Sequence, residues 1–255
     1  MPAITNNIRK TVRSLAETKY RRRLGLFVAE GTKCVLDTAG AFETEMLLAT
    51  PKWLESNKVR GIEAARIYEA SQADMERMTA LTAAPQVIAV YRIPAPVEIP
   101  ALTEDLILAL DRVQDPGNLG TIIRVCDWMG VHDILASTDT ADVWNPKVIQ
   151  ATMGSVSRVR VHYCDLPAVL ISAATAGTPV YGTFLDGDDI YETELTPGGI
   201  IVMGNEGNGI GAACARAVTR RLLIPPYPAQ ASTAESLNVS IATAITLAEF
   251  RRRVR

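Results

Sequence analysis

Long apolar runs are missing from this 255-residue chain: no stretch reaches the roughly 18 residues that a membrane-spanning helix requires. The first residues, "MPAITNNIRKTVRSL", contain no continuous apolar segment of the kind a secretory signal needs. A cytoplasmic protein that makes no use of a membrane is therefore expected. Aromatic residues make up only 5% of the chain, and there are two histidines. The four cysteines, Cys34, Cys126, Cys164 and Cys214, stand far apart in apolar settings and form no CxxC pair. With only His132 and His162 to assist them, they read as buried free thiols in a reducing compartment, and no metal site is expected. The GxGxxG turn of dinucleotide-binding folds is absent too, and no P-loop lysine follows a glycine-rich turn. These absences argue against dehydrogenases and P-loop nucleotide enzymes.

What is present resembles an ordinary α/β enzyme in composition, with 48% apolar and 21% charged residues. The length suits one or two domains. Net charge is −2, which argues against a general nucleic-acid coat, but the charge is unevenly placed. Residues 1–33 hold eight Lys or Arg against two Glu, and "RRRVR" ends the sequence. Such asymmetry fits a phosphate-rich partner meeting one face of a neutral protein; solvated helix faces would give the same count.

Patterning divides the chain. Up to residue 92, short apolar runs alternate with helical periodicity: Ile8, Val12 and Leu15 along a helix, then "LFVAE", "TKCVLDTA", "MLLAT", "PKWLESN", "ARIYEA", "QADMERMTA" and "QVIAVYR". This reads as a small α/β sandwich over 1–92. Pro94, Pro96 and Pro100 then mark a linker, 93–104. Over 105–255 the alternation becomes regular, starting from the strand "LILALD" and a helix near 118–129 and ending in a long helix from Ser236. Repeated βα units imply a mostly parallel sheet with helices on both faces. Ligands of such sheets bind beyond the carboxyl ends of the strands. Three loops fall there: "DRVQDPGNLG", "GNEGNG" and "PPYPAQASTAESLN".

The second loop offers several positions free to adopt positive φ and one carboxylate, Glu206. In the third, Ser236 is placed as the N-cap of the last helix, with Asn238 in its first turn. A helix start beside such loops could hold a small ligand by backbone hydrogen bonds or bind an anion. In the first, Arg124 follows Leu119, Ile122 and Ile123 and precedes Cys126 and Met129 on an otherwise apolar helix. An arginine there must find partners or reach an edge. It is either a surface residue snorkelling past its neighbours or a clamp for phosphate or substrate, with Asn118 at the same mouth.

Taken together, "NLGTIIR", "GNEGNGI" and "SLNVSIA" resemble, in order, the three motifs of the SpoU/TrmH family of RNA ribose 2′-O-methyltransferases in the SPOUT superfamily. "NPKVIQATMGSV" is similar to the family's mid-domain signature, and "KYRRRLGLFVAEG" to the start of its L30e-like RNA-binding extension. The resemblance implies a SPOUT domain with a deep trefoil knot over about 204–245, S-adenosylmethionine as cofactor, and a homodimer whose arginine reaches an active site at the subunit interface. It carries catalytic roles onto Asn118, Arg124, Glu206, Ser236 and Asn238. Cofactor contacts fall on Gly204, Asn205, Gly207, Ile224, Pro225, Ser236, Leu237 and Asn238. RNA, ribosomal or transfer, is the implied substrate, drawn to Arg21, Arg22, Arg23 and Lys33 of the N-terminal domain. Two departures stand out: "PYPAQASTAE" lengthens the third loop, and Gln150 replaces a basic residue common in the mid-domain signature.

The implied chemistry suits these residues. The sulfonium activates its own methyl group, leaving the protein to align a ribose oxygen for in-line attack. Guanidinium rarely surrenders a proton, so Arg124 is expected to grip the adjacent phosphate and stabilise developing alkoxide charge rather than to act as the base. Glu206 is expected to order its loop.

Overall fold

A computed structural model describes residues 4–56, 62–102, 105–228 and 234–253. From the N-terminus the elements are α1 (Asn6–Ser14), α2 (Thr18–Leu24), β1 (Leu26–Glu30), α3 (Thr32–Thr38), β2 (Thr44–Ala49), α4 (Pro51–Glu55), β3 (Ile67–Glu69), α5 (Gln72–Met78) and β4 (Val87–Arg92). There follow β5 (Leu106–Leu110), α6 (Pro116–Trp128), β6 (Asp133–Ser137), α7 (Pro146–Thr152), β7 (Arg160–Cys164) and α8 (Leu166–Thr175). The last are β8 (Val180–Asp189), β9 (Gly199–Met203), α9 (Ala212–Ala215), β10 (Arg220–Leu223) and α10 (Val239–Arg252). They form two compact units, residues 1–95 with 142–157, and residues 96–141 with 158–255.

In the first unit a four-stranded sheet runs β1-β4-β2-β3, antiparallel except for the β2/β3 pair. Every residue of β1 is buried, because both faces of the sheet are covered. Val28 packs with Val12, Leu15, Met46, Met75 and Ile88 on one side. On the other, Phe27 meets Tyr91 and Trp144, with ring centroids 5.4 and 4.5 Å away. Trp144 belongs to the segment 142–157, which lies in the C-terminal half of the sequence but packs in this unit. Local signals set the helix starts: Ser71 and Asp74 form a reciprocal capping box on α5, and Asn145 caps α7 with Pro146 behind it.

One basic residue expected to meet RNA is instead structural. Arg21 is 1% exposed, and its guanidinium donates to Asp142 Oδ2 at 2.5 and 3.0 Å, to the carbonyls of Leu15 and Ala16 at 2.8 and 2.9 Å, and to Thr18 Oγ1 at 2.9 Å. It spends its donors tying the α1–α2 turn to residue 142, so Arg21 is withdrawn from the RNA-binding set. Arg22, Arg23 and Lys33 are exposed.

The second unit is a six-stranded sheet in the order β10-β8-β9-β5-β6-β7, with every pairing parallel. The β5 connection leads through α6 to β6 on one side. The chain leaving β9 turns the other way, through α9 to β10. The β5/β9 boundary is therefore a topological switch point, where the loops part and leave a crevice. Helix α6 starts two residues before the expected 118, because Asp115 accepts from the Asn118 N–H and Pro116 takes the first helical position. Helix α9 is short: Ala217 and Val218 bond back only three residues, and Thr219 joins Val180 at the sheet. Strand β8 runs to Asp189, with a register shift opposite Arg221/Leu222. Gly187 permits that shift, since a Cβ there would meet the Leu222 backbone at 2.5 Å.

Cys34, Cys126 and Cys214 are buried, and Cys164 is half-buried. Burial pushes the Cys34 thiol to about 11 and the Cys214 thiol to about 12, so neither supplies a thiolate at neutral pH. The closing basic cluster is also engaged. Arg251 donates to the carbonyls of Met129 and Gly130, and Arg253 to those of Ile190, Tyr191 and Thr193. Val254 and Arg255 lie outside the described residues.

Glu249, buried on α10, accepts hydrogen bonds from Arg252 and Arg253, which together hold its carboxyl near pKa 2 rather than 4.5. A lowered pKa contributes stability in full above about pH 4.5, and that contribution is lost as pH falls toward 2. Glu249→Gln is accordingly expected to lower Tm at pH 7, with the gap to the parent narrowing between pH 4.5 and 2. Thermal melts of both proteins across that range check it; a gap independent of pH would exclude the ion pair as the cause.

Candidate functional site

Three loops meet at the carboxyl ends of β5, β9 and β10. The loop after β9 closes on itself: Asn205 N–H donates to Gly209 O at 3.1 Å, and Gly209 N–H returns to Asn205 O at 2.9 Å. Such closure needs glycine at 204, where a Cβ would sit 2.2 Å from the Gly209 carbonyl carbon. Asn205 organises the turn. Its Oδ1 accepts from the Gly207 and Asn208 N–H groups at 3.0 and 3.1 Å, and its Nδ2 donates to Arg112 O at 2.9 Å.

That last bond reaches the first loop. Arg112, two residues beyond the end of β5, takes φ +60, unusual for a residue with a side chain. Three contacts hold it there: its N–H on Ser137 Oγ at 2.9 Å, its carbonyl under Asn205, and its Nε on Asp111 Oδ1 at 3.1 Å. Buried Asp111 also accepts the Gly211 N–H at 2.6 Å. Asp111 and Arg112 thus fasten the loop after β5 to the loop after β9. Sequence reasoning passed over both. Their one sequence signal is a charged pair closing an all-apolar strand, "LILALDR".

A line of side-chain amides then joins all three loops. Asn118 Nδ2 donates to Glu206 Oε1 at 2.7 Å, and Asn238 Nδ2 donates to Asn118 Oδ1 at 3.0 Å. Residues 118, 206 and 238 are far apart in sequence, and here they are consecutive partners. Asn238, not Ser236, is the N-cap of α10: its Oδ1 accepts from the Ser240 and Ile241 N–H groups at 3.0 and 3.3 Å. The helix begins two residues later than expected because the Asn238 side chain reaches both donors while its backbone stays outside the helix. Ser236 is exposed and has no hydrogen-bond partner among the described residues. Ile224 and Pro225 follow β10 directly, half-buried; positions 229–233 of the lengthened third loop lie outside the described residues.

The mouth so formed combines amide groups and a carboxylate with apolar surface, for Leu237 and Ile241 are 49% and 52% exposed beside Asn238. This donor set is neutral except for Glu206, and its tight glycine turn lets a ligand approach the backbone closely. It suits a ligand with both polar and apolar parts.

Arg124 stands elsewhere. It is exposed and has no ion-pair or hydrogen-bond partner among the described residues. Six residues along α6 from Asn118, it sits roughly 120° around the helix from the amide line. On that other face it keeps company with Thr121 and Trp128, the latter 87% exposed. No helix among the described residues is long and apolar enough to cross a membrane.

Residues 105–248 match the SpoU rRNA Methylase family, and residues 6–89 match the MRM3-like substrate binding domain. The chain is 31% identical over 246 residues to the 23S rRNA (guanosine(2553)-2′-O)-methyltransferase RlmP of Bacillus subtilis, covering 95% of each. Its fold superposes with a TM-score of 0.88 on a TrmH-family structure from Porphyromonas gingivalis, at 39% identity and covering 98% of this chain and 99% of the other. An AdoMet-bound rRNA methyltransferase from Sinorhizobium meliloti gives a TM-score of 0.85 at 29% identity, with 100% and 98% covered.

Proposed function

Since the chain belongs to the SpoU rRNA methylase family, we propose that it transfers a methyl group from S-adenosylmethionine to a ribose 2′-hydroxyl of structured RNA, ribosomal rather than transfer RNA, in the cytoplasm. The observation that carries this reading is the Asn238–Asn118–Glu206 line, which brings the three separated motifs to one mouth at the switch point. On this reading residues 105–255 carry the chemistry, 93–104 are the connection, and 1–92 hold RNA, with Arg22, Arg23 and Lys33 as exposed phosphate contacts.

Bound S-adenosylmethionine supplies a methyl carbon made electrophilic by its sulfonium. The protein does the rest by positioning. Gly204, Asn205 and Gly207 present backbone groups from the turn after β9. Ile224 and Pro225 continue the cradle after β10, and residues 236–238 close it, all within the arc that the trefoil knot would tie. Glu206 fixes Asn118, and Asn118 fixes Asn238, so the amides are oriented before any ligand arrives. The Glu206 carboxylate, held by Asn118, would lie among the residues that hold the cofactor and would offer it a negative charge.

The arginine of this site comes from a second copy. Arg124 points away from its own amide line, on a face that also exposes Trp128 one helical turn further on. A tryptophan so exposed, beside a guanidinium with no partner among the described residues, suits a surface buried in a homodimer. There the guanidinium fork grips the phosphate next to the target ribose and stabilises charge growing on O2′.

Incubation of the protein with S-adenosylmethionine and ribosomal RNA from a strain lacking it should create one new ribose methylation. Digestion to nucleosides followed by mass spectrometry reads it as a 2′-O-methyl nucleoside. A methyl group found on the base, or none on any RNA, would refute the assignment.

A further inference from the structure

Within the first unit, α1, α2, the end of β1 and the turn after α5 surround a cleft of about 460 Å³ that the methyl-transfer chemistry does not use. Its volume falls in the range of small-ligand sites. Its walls are apolar, from Val12, Val28 and Met78, and at its floor lies the carboxylate of Glu30, a residue only 5% exposed. Thr79 Oγ1 donates to one Glu30 oxygen and the Ala80 N–H to the other at 3.2 Å. Two donors fix the direction of a carboxylate but do not saturate it, since it has about four lone-pair sites. Burial raises the Glu30 pKa, so further donors that settle its charge would be favoured.

The rim is cationic and aromatic. Lys10 is exposed with no ion-pair partner among the described residues, and Arg13 makes only one hydrogen bond, Nη1 to Arg77 O at 3.2 Å. The Tyr20 ring lines the same cleft, with Lys19 and Arg23 4.9 and 4.8 Å from its centroid; Glu17 also lines it and pairs with Lys19 at 2.9 Å, which leaves Lys10, Arg13 and Arg23 as the net positive charge. Such a rim repels a lysine or arginine from a protein partner and attracts phosphate. An apolar slot with an aromatic edge and a recessed acceptor is the form in which proteins take an unstacked base.

We propose that this cleft receives one extruded guanosine of the RNA substrate, with Lys10 and Arg13 on its flanking phosphates and Glu30 on its Watson–Crick edge. Guanine presents two adjacent donors, N1–H and N2–H, to the two carboxylate oxygens. Adenine and cytosine each place a ring acceptor beside a single amino group, and uracil offers one donor between two carbonyls. The inference rests on the RNA-methyltransferase reading, and it assigns the first unit a base-specific grip separate from the nucleotide that is methylated.

The test uses the full chain and fluorescein-labelled single-stranded uridine hexamers containing one guanosine, adenosine or inosine, with S-adenosylmethionine affinity measured on the same preparations. Guanosine should tighten binding about tenfold over adenosine, and inosine, which lacks the N2 amino group, should lose most of that gain. Lys10→Glu should weaken binding of every hexamer about tenfold at low salt. Glu30→Gln should abolish the guanosine preference. All variants should keep the parental affinity for S-adenosylmethionine. Equal binding of guanosine and adenosine hexamers would overturn the proposal while cofactor binding left the methyltransferase reading standing. Failure to bind any hexamer or S-adenosylmethionine would remove both. The inosine comparison needs no protein variant, so it decides the matter even if Glu30→Gln is unstable.

Discussion

Arg124→Lys is expected to slow methyl transfer by about two orders of magnitude while S-adenosylmethionine binds within about twofold of the parent. Lysine keeps the charge but presents a point donor in place of a planar fork, so phosphate and developing alkoxide can no longer be held together. Cofactor affinity should be spared, because Arg124 lies roughly 120° around α6 from the Asn118 amide and touches nothing in the cofactor mouth of its own chain. Single-turnover rates with saturating RNA and calorimetry with the cofactor separate these two effects. A parental rate in Arg124→Lys would show that the fork has no part in the reaction. A matching loss of cofactor affinity would place Arg124 in the cradle instead.

Two inactive variants should restore each other. Arg124→Ala removes the guanidinium, and the double variant Asn118→Ala/Glu206→Ala breaks the amide line. If arginine and cradle belong to different subunits, a mixed dimer contains one site with every group intact and one with none. Random exchange of equal amounts would then recover about a quarter of parental activity, since half the dimers are mixed and half their sites are whole. Arginine acting within its own chain predicts no recovery at any ratio. The exposed Trp128 supplies a control: Trp128→Glu should yield a monomer by sedimentation and no recovery on mixing, because a charge on that face costs the interface its apolar contact.

Which loops would carry the candidate site could be read from the chain because the loops contain local signals. Glu206 stands in a glycine-rich turn, Asn118 three residues after a capping aspartate, and Asn238 at the start of an apolar helical period. Each marks a strand end or helix start, where backbone groups need partners. Less legible was the start of α10, where the sequence points to Ser236 as the cap and the folded chain uses Asn238. Ser236 and Asn238 are both good caps, and the choice fell to the side chain that also reaches Asn118. The pair Asp111 and Arg112 went unread for a related reason. They bind the Gly211 N–H and hold a φ of +60 under Asn205, contacts with residues 100 and 93 positions away.

Charge was the weakest guide. Eight basic residues in the first 33 suggest one RNA-facing surface, yet Arg21 is sealed inside against Asp142, a residue from the other half of the sequence. A formal charge does not reveal whether its donors are already spent. The same segment, 142–157, makes deletion of 1–92 a poor test of RNA binding. It would strip Trp144 of Phe27 and expose Val148 and Ile149 of α7 along with any loss of affinity.

From order along the chain alone came the alternation of strands and helices, the parallel sheet, the three motif loops and the family they resemble, since periodicity and turn chemistry are properties of neighbouring residues. Only the folded chain decided which loops touch, which arginine is buried and which is free, and which asparagine caps the last helix. Those outcomes depend on competition for hydrogen-bond partners between residues that become neighbours only when the sheet has formed.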